Sequence, residues 1–173
     1  FIVSKDSFFQ VNRFLTEKLY ETAINYLDAS LDETALDLYS GTGTISLLLS
    51  KHFKKVVGIE INKEAVSCAN RNKKINNIDN VDFICGDASL EIKKVKADKL
   101  IVDPPRSGLT KEGIEDILKM APKVMVYISC DPITLARDLK LLGDGYDVVS
   151  VTPVDMFPNT YHVENVVKLV IKK

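Results

Sequence analysis

Three short stretches of this 173-residue chain carry side chains able to do chemistry. Cys130 stands in Ser129-Cys130-Asp131-Pro132, after the apolar run Val124 to Ile128. A thiol where a strand gives way to a loop can act as a nucleophile once ionised. The plain alternative is a buried structural cysteine, which suits Cys68 on a helix and Cys85 inside a strand better than it suits Cys130. Asp103 opens Asp103-Pro104-Pro105-Arg106-Ser107-Gly108, where two prolines stiffen the backbone around the carboxylate. A related Asp/Asn-Pro-Pro-aromatic signature handles exocyclic base amines; Arg106 in the aromatic position weakens that option. Glu164 closes an apolar, aromatic segment, Asp155-Met156-Phe157-Pro158-Asn159-Thr160-Tyr161-His162-Val163-Glu164, too greasy for an ordinary turn. It reads as a lid, and burial beside Phe157 and Tyr161 would raise the pKa of Glu164 and suit it to base work.

A second constellation suits a nucleoside. Asp37-Leu38-Tyr39-Ser40-Gly41-Thr42-Gly43-Thr44 runs from a strand into a helix, and its glycines allow close backbone approach to a ligand. A dinucleotide fingerprint needs a third glycine where Ser46 stands. Glu60, in Gly58-Ile59-Glu60-Ile61-Asn62, could accept both hydroxyls of a ribose, and Asp87, in Gly86-Asp87-Ala88, an adenine amino group. Taken singly, Asp87 reads equally well as a solvated loop acid. Without the third glycine or a phosphate-binding lysine, the set favours S-adenosylmethionine over NAD or ATP.

The elements that must position these residues alternate. Helices are predicted over 10–29, 45–52, 63–76, 111–120 and 132–142, from apolar residues at helical spacing. Strands are predicted over 34–39, 55–61, 81–85, 99–102, 123–129, 146–154 and 163–171. Continuous apolar strands between amphipathic helices imply an α/β fold, a mostly parallel seven-stranded sheet covered on both faces. The last two strands lack a crossover helix and are expected as an antiparallel hairpin at one edge. Ligands of such sheets bind beyond the carboxyl ends of the strands, where all the residues above fall.

Composition bounds the rest. A hydrophobic content of 46% and a charged content of 27% suit one globular domain over 1–173. No apolar run reaches the roughly 20 residues of a membrane span, and no signal peptide is visible. Three unpaired cysteines argue against disulfides or a zinc site, so no metal is expected and a cytoplasmic location is. A net charge of −1 is poor for holding RNA unaided; either the cations gather on one face or RNA docking belongs to another segment. Phe1 rather than Met stands first, and the chain is read as an excised or processed piece of something longer.

From Ser7-Phe8-Phe9-Gln10-Val11-Asn12 to Glu164 the chain resembles the 5-methyluridine RNA methyltransferases, which act on ribosomal and transfer RNA. The glycine loop, the Asp-Pro-Pro-Arg loop, the Ser-Cys motif and the Asp-Met-Phe-Pro…His-x-Glu segment carry the resemblance. It implies a Rossmann-like class I methyltransferase fold. It also implies that Gln10, Tyr39, Thr44, Glu60, Asp87 and Asp103 contact S-adenosylmethionine or the target base, with Gly41 and Gly43 shaping the loop. Cys130 would be the nucleophile and Glu164 the proton acceptor. The family's Ser-Cys-Asn-Pro is here Ser-Cys-Asp-Pro, and Asp131 is expected to raise the thiol's pKa. The family's β-barrel RNA-binding domain has no counterpart, so this reads as the catalytic half, a monomer that meets RNA with help from that domain.

The expected product is 5-methyluridine in RNA, ribosomal first and transfer RNA second. Rivals remain. A 5-methylcytidine enzyme would carry Pro-Cys where Pro104-Pro105 stands, an amine methyltransferase would leave Cys130 idle, and a non-catalytic RNA-binding factor could retain the fold.

Overall fold

The computed structural model describes residues 2, 12–160 and 162–172. The elements follow the order α1 (Arg13–Tyr26), β1 (Thr34–Leu38), α2 (Thr44–Leu49), β2 (Lys55–Glu60), α3 (Lys63–Ile75), β3 (Val81–Cys85), α4 (Ala88–Glu91), β4 (Lys99–Val102), α5 (Lys111–Met120), β5 (Val124–Ser129), α6 (Pro132–Leu142), β6 (Tyr146–Val154) and β7 (Glu164–Ile171), with one 3₁₀ turn at Ile92–Lys94. One seven-stranded sheet has the order β3-β2-β1-β4-β5-β7-β6.

Strands β1 to β5 pair in parallel, while β7 runs antiparallel to both β5 and β6. The expected hairpin is present, with a detail that sequence did not disclose: β7 inserts between β5 and β6, and β6 forms the edge. Because β7 is reversed, it starts where β5 ends, with Asn165 opposite Ser129. This places Glu164 beside Cys130 at one end of the sheet.

Alternation along each strand sorts the core into two layers. Leu36, Val57, Leu100, Met125 and Tyr127 face one layer, closed by Ile114 and Ile117 of α5 and Leu135 of α6. Ala35, Val56, Ile101, Val126 and Val166 face the other, closed by Leu19 and Ala23 of α1, Leu27 just after it and Leu47 of α2. Covering both faces is what continuous apolar strands require. At the free edge, β3 is only half covered, and Cys85, expected to be buried, is exposed.

One polar node crosses the first layer. Asp138 of α6 is fully buried and accepts from the Leu109 amide (2.7 Å), the Tyr127 hydroxyl (2.7 Å) and Arg137 Nε (2.8 Å). Arg137 also donates to the carbonyls of Ser107 and Leu109. Gly108, at φ 74, passes so near the Asp138 carboxylate that an added Cβ would lie 2.5 Å from Oδ2. The loop after β4 is thereby bolted to α6 and β5.

Asp138→Ala would strand a buried hydroxyl, a buried amide and an arginine at once. It is expected to lower unfolding free energy by about 3–5 kcal/mol, read from urea denaturation.

Candidate active site

A cavity of about 620 Å³ opens at the carboxyl ends of β1, β2, β4 and β5 and the start of β7, within the range of roughly 300–1,000 Å³ usual for small-molecule sites. Its wall includes Tyr39, Gly41, Thr44, Glu60, Asp103, Cys130 and Glu164, so seven of the expected site residues come together. Gln10 and Tyr161 lie outside the described residues.

The loop from β1 to α2 is held in an unusual conformation. Tyr39 has φ 67, a left-handed value that costs a non-glycine residue energy and clusters at functional sites. The Tyr39 and Ser40 amides both donate to the Ile59 carbonyl of β2, at 2.9 and 3.0 Å. The two glycines have separate jobs. Gly41 (φ 54) faces open space, and its amide donates to Glu60 Oε2 at 3.0 Å. Gly43 (φ 82) does not wall the cavity: a Cβ there would meet the Phe83 ring at 2.6 Å. Its missing side chain lets α2 start close against β3.

Glu60 is oriented from two sides, since Oε1 accepts from the Asn62 amide at 2.8 Å. Each oxygen keeps a second lone pair for a ligand hydroxyl. Asp87 is exposed, lies outside the lining of the cavity, and caps α4 by accepting through Oδ1 from the amide and hydroxyl of Ser89. Those bonds, with the hydroxyl's first, hold its carboxyl below the usual range.

The reactive end is acidic. Asp37, wholly buried under the loop, has its pKa pushed up to about 7 by burial and the charge of Glu60, against a 2.6 Å hydrogen bond donated by Ser46. Asp103 is pushed up to about 8 by burial, then by Glu164 and Asp37. Burial also raises Glu164, which is 4% exposed, while Arg106 opposes the rise. Tyr20 of α1 joins the wall, its hydroxyl held protonated by burial and the three carboxylates. Arg106 is the single cation in the wall among the described residues. Lysines cluster elsewhere: Lys55, Lys99 and Lys123 sit at the amino ends of strands, paired with Asp82, Glu33 and Asp98.

Cys130 is half-buried at the end of β5. Burial, then Glu164, push its thiol up, while Arg106 opposes them by charge and hydrogen bonding. The thiol is thus raised, as expected, but from a different source. Asp131 turns its carboxylate onto the α6 N-terminus, where Oδ1 accepts from the Ile133 and Thr134 amides at 2.9 and 3.0 Å. Phe157 of the segment between β6 and β7 closes the wall.

Sequence reasoning did not single out Ser40 or Tyr20. The Ser40 hydroxyl is buried, lines the cavity and has no hydrogen-bond partner among the described residues; Asp37 Oδ1 is likewise unpartnered. Orphaned buried polar atoms beside a cavity mark places where a bound group completes the bonding. Asp103 and Glu164 share the wall with one arginine, and Asp37 is wholly buried nearby; a ligand that brings positive charge would favour the ionised forms of all three.

Comparison with known proteins agrees with this geometry. A Geobacter metallireducens precorrin-6y C5,15-methyltransferase, 16% identical, superposes with a TM-score of 0.79 over 98% of this chain and 93% of its own. The fold is that of the class I S-adenosylmethionine-dependent methyltransferases. The profile of the tRNA (uracil-5-)-methyltransferases matches residues 1–89 and 87–172, and the chain belongs to that family. An uncharacterised RNA methyltransferase of Clostridium tetani is 52% identical over 96% of this chain and 38% of its own length. The Pyrococcus abyssi tRNA (uracil-54, C5)-methyltransferase, solved with S-adenosyl-L-homocysteine, is 38% identical with a TM-score of 0.83, covering 95% of this chain and 40% of that one. The chain therefore spans about two fifths of these relatives' length.

The raised Asp103 predicts a pH signature. A carboxyl whose folded pKa exceeds its unfolded value stabilises the fold fully below about pH 4, and the contribution is lost as pH rises through about 8. Asp103→Asn should raise Tm at pH 9 by about 2–4 °C, roughly 1 kcal/mol in a domain this size, and change it little at pH 4. Equal shifts at both pH values would contradict the environment described for Asp103.

Proposed function

We propose that this chain is the catalytic domain, over 1–173, of an S-adenosylmethionine-dependent enzyme that methylates carbon 5 of a uridine in RNA through a covalent cysteine adduct. The observation that carries the reading is the meeting of Cys130, Glu164, Asp103 and Arg106 in the wall of one nucleoside-sized cavity.

The residues fit the cofactor. Glu60 would take the ribose hydroxyls, with Ile61 and Ala65 as apolar wall, and the loop from Tyr39 to Thr44 would take the amino-acid end, where Ser40 awaits a partner. The cationic ligand would offset the charge of Asp37, Asp103 and Glu164. Bound there, S-adenosylmethionine supplies an electrophilic methyl group that accepts an electron pair from carbon 5 of the uracil ring.

Carbon 5 needs help to offer that pair. The Cys130 thiolate adds to carbon 6, forming a C–S bond and moving ring electrons to carbon 5. Its thiol is raised in the free protein, so the thiolate forms only as a small fraction, which Arg106 favours. Asp103, at the cavity floor, orients the ring by hydrogen bonding. Once carbon 5 is methylated it still carries a proton. Glu164 removes it, the electrons restore the C5–C6 double bond, and the C–S bond breaks to release thiolate. Burial raises the basicity of the Glu164 carboxylate for this step. The uridine must leave its stack to enter, at a cost of roughly a few kcal/mol.

With one cation in the cavity wall among the described residues, phosphate contacts are assigned elsewhere, and the RNA-binding domain of the longer family members is the proposed source. Ribosomal RNA is the first substrate to try and transfer RNA the second.

The test is intact mass after incubation with S-adenosylmethionine and a short RNA containing 5-fluorouridine. Fluorine cannot leave as a proton, so a species of protein plus RNA plus methyl should accumulate, and vanish in Cys130→Ser. No adduct, with cofactor binding demonstrated separately and the RNA-binding domain supplied, would overturn the reading. In Glu164→Gln the adduct should accumulate on ordinary uridine RNA, with turnover reduced at least about 100-fold.

A further inference from the structure

The Arg106 guanidinium has no carboxylate within ion-pair distance among the described residues, yet it shares the cavity wall with Cys130 and opposes the rise of its thiol. Its backbone is fixed, since the Thr134 hydroxyl donates to the Arg106 carbonyl at 3.0 Å. Its side chain is exposed and long, with about 2 kcal/mol of rotamer entropy to lose. What meets the guanidinium is an imidazole. Arg106 Nη2 lies 3.2 Å from His162 Nε2 and 3.5 Å from Nδ1. His162 itself is held by the edge-on Phe157 ring at 6.4 Å and by its amide's bond to the Thr160 hydroxyl at 3.2 Å.

We propose that His162 is a positioning residue that holds the Arg106 guanidinium beside Cys130 by lying face-on against it, so that the segment between β6 and β7 governs how readily the thiol ionises. The proposal rests on Cys130 being the nucleophile. Its chemistry is simple. An Nη2 within 3.5 Å of both ring nitrogens lies over the imidazole face, where a planar guanidinium stacks on an aromatic ring. With the tether intact, a fixed cation faces the thiol. Without it, Arg106 disperses into solvent, and Cys130 is left with burial, Glu164 from β7 and Asp103 from the loop after β4, all of which oppose ionisation. Asp131, on the cysteine's own motif, is committed to the α6 N-terminus, and among the described residues α1 adds only Tyr20 to the cavity wall.

The experiment reads the thiol directly on the free protein. Iodoacetamide alkylation of Cys130 is followed by peptide mass spectrometry across pH, which separates it from exposed Cys85 and buried Cys68. His162→Ser, which removes the ring face, should slow Cys130 alkylation at pH 7.5 by about three- to tenfold and move the midpoint up by about 0.5–1 pH unit. His162→Phe, which keeps a face to stack on, should stay near wild type. Arg106→Met should reproduce the His162→Ser shift, and the double variant should equal Arg106→Met alone. His162→Ala replaces His162→Ser if thermal melting shows the latter unfolded. A wild-type pH profile in the ring-free variant, or additive shifts in the double variant, would overturn the proposal. Because no RNA is present, that failure is distinct from a failure to form the fluorouridine adduct.

Discussion

The reactive end of this protein depends on one buried carboxylate. Asp138 ties the loop that carries Asp103 and Arg106 to the helix that begins two residues after Cys130, and to Tyr127 in the strand beneath. A loop of two prolines is stiff, but stiffness alone does not set its distance from a neighbouring strand. The Asp138 bonds do, and they are buried, where each is worth more than in water and where losing one leaves its partner uncompensated. The site's precision is therefore stored a helix turn away from its chemistry.

A second constraint is electrostatic. Asp37, Asp103 and Glu164 are packed together at a cost in folding free energy that the chain sustains without a buried cation among them. Such an arrangement makes little sense for stability. It makes sense for a ligand carrying positive charge, which would be held by groups already in place rather than by groups recruited on arrival.

Much of this was legible in the sequence. The bounds of β3, β4, α5, α6 and β6 follow from apolar runs and their Pro and Gly neighbours, and Cys130, Glu60, Asp103 and Glu164 announced themselves by standing at strand ends. What escaped shares a cause. Helix α4 and the 3₁₀ turn are too short for periodicity to register. Gly41 and Gly43 look alike in a motif, and only the position of the Phe83 ring separates a cavity-facing glycine from a tightly packed one. Asp87 and Asp131 are both acids after a strand, but each precedes a helix whose open amides claim it, a competition that spacing alone did not decide. Asp138 and Tyr127 read as an ordinary helix acid and strand aromatic until the fold brings them within 2.7 Å.

The reversed β7 has a consequence for how the molecule is made. Of the seven strands it is the last to be synthesised, yet its place is inside the sheet, between β5 and β6. Strands β1 to β5, with the cavity-lining loops, can assemble while β5 still presents an open edge, and β6 has no partner until β7 arrives. A nascent chain thus passes through a stage with its glycine loop formed, a bare strand edge exposed to aggregation and no Glu164. The group assigned to finish the reaction is also delivered by the strand that finishes the sheet, so site and sheet are completed in one step.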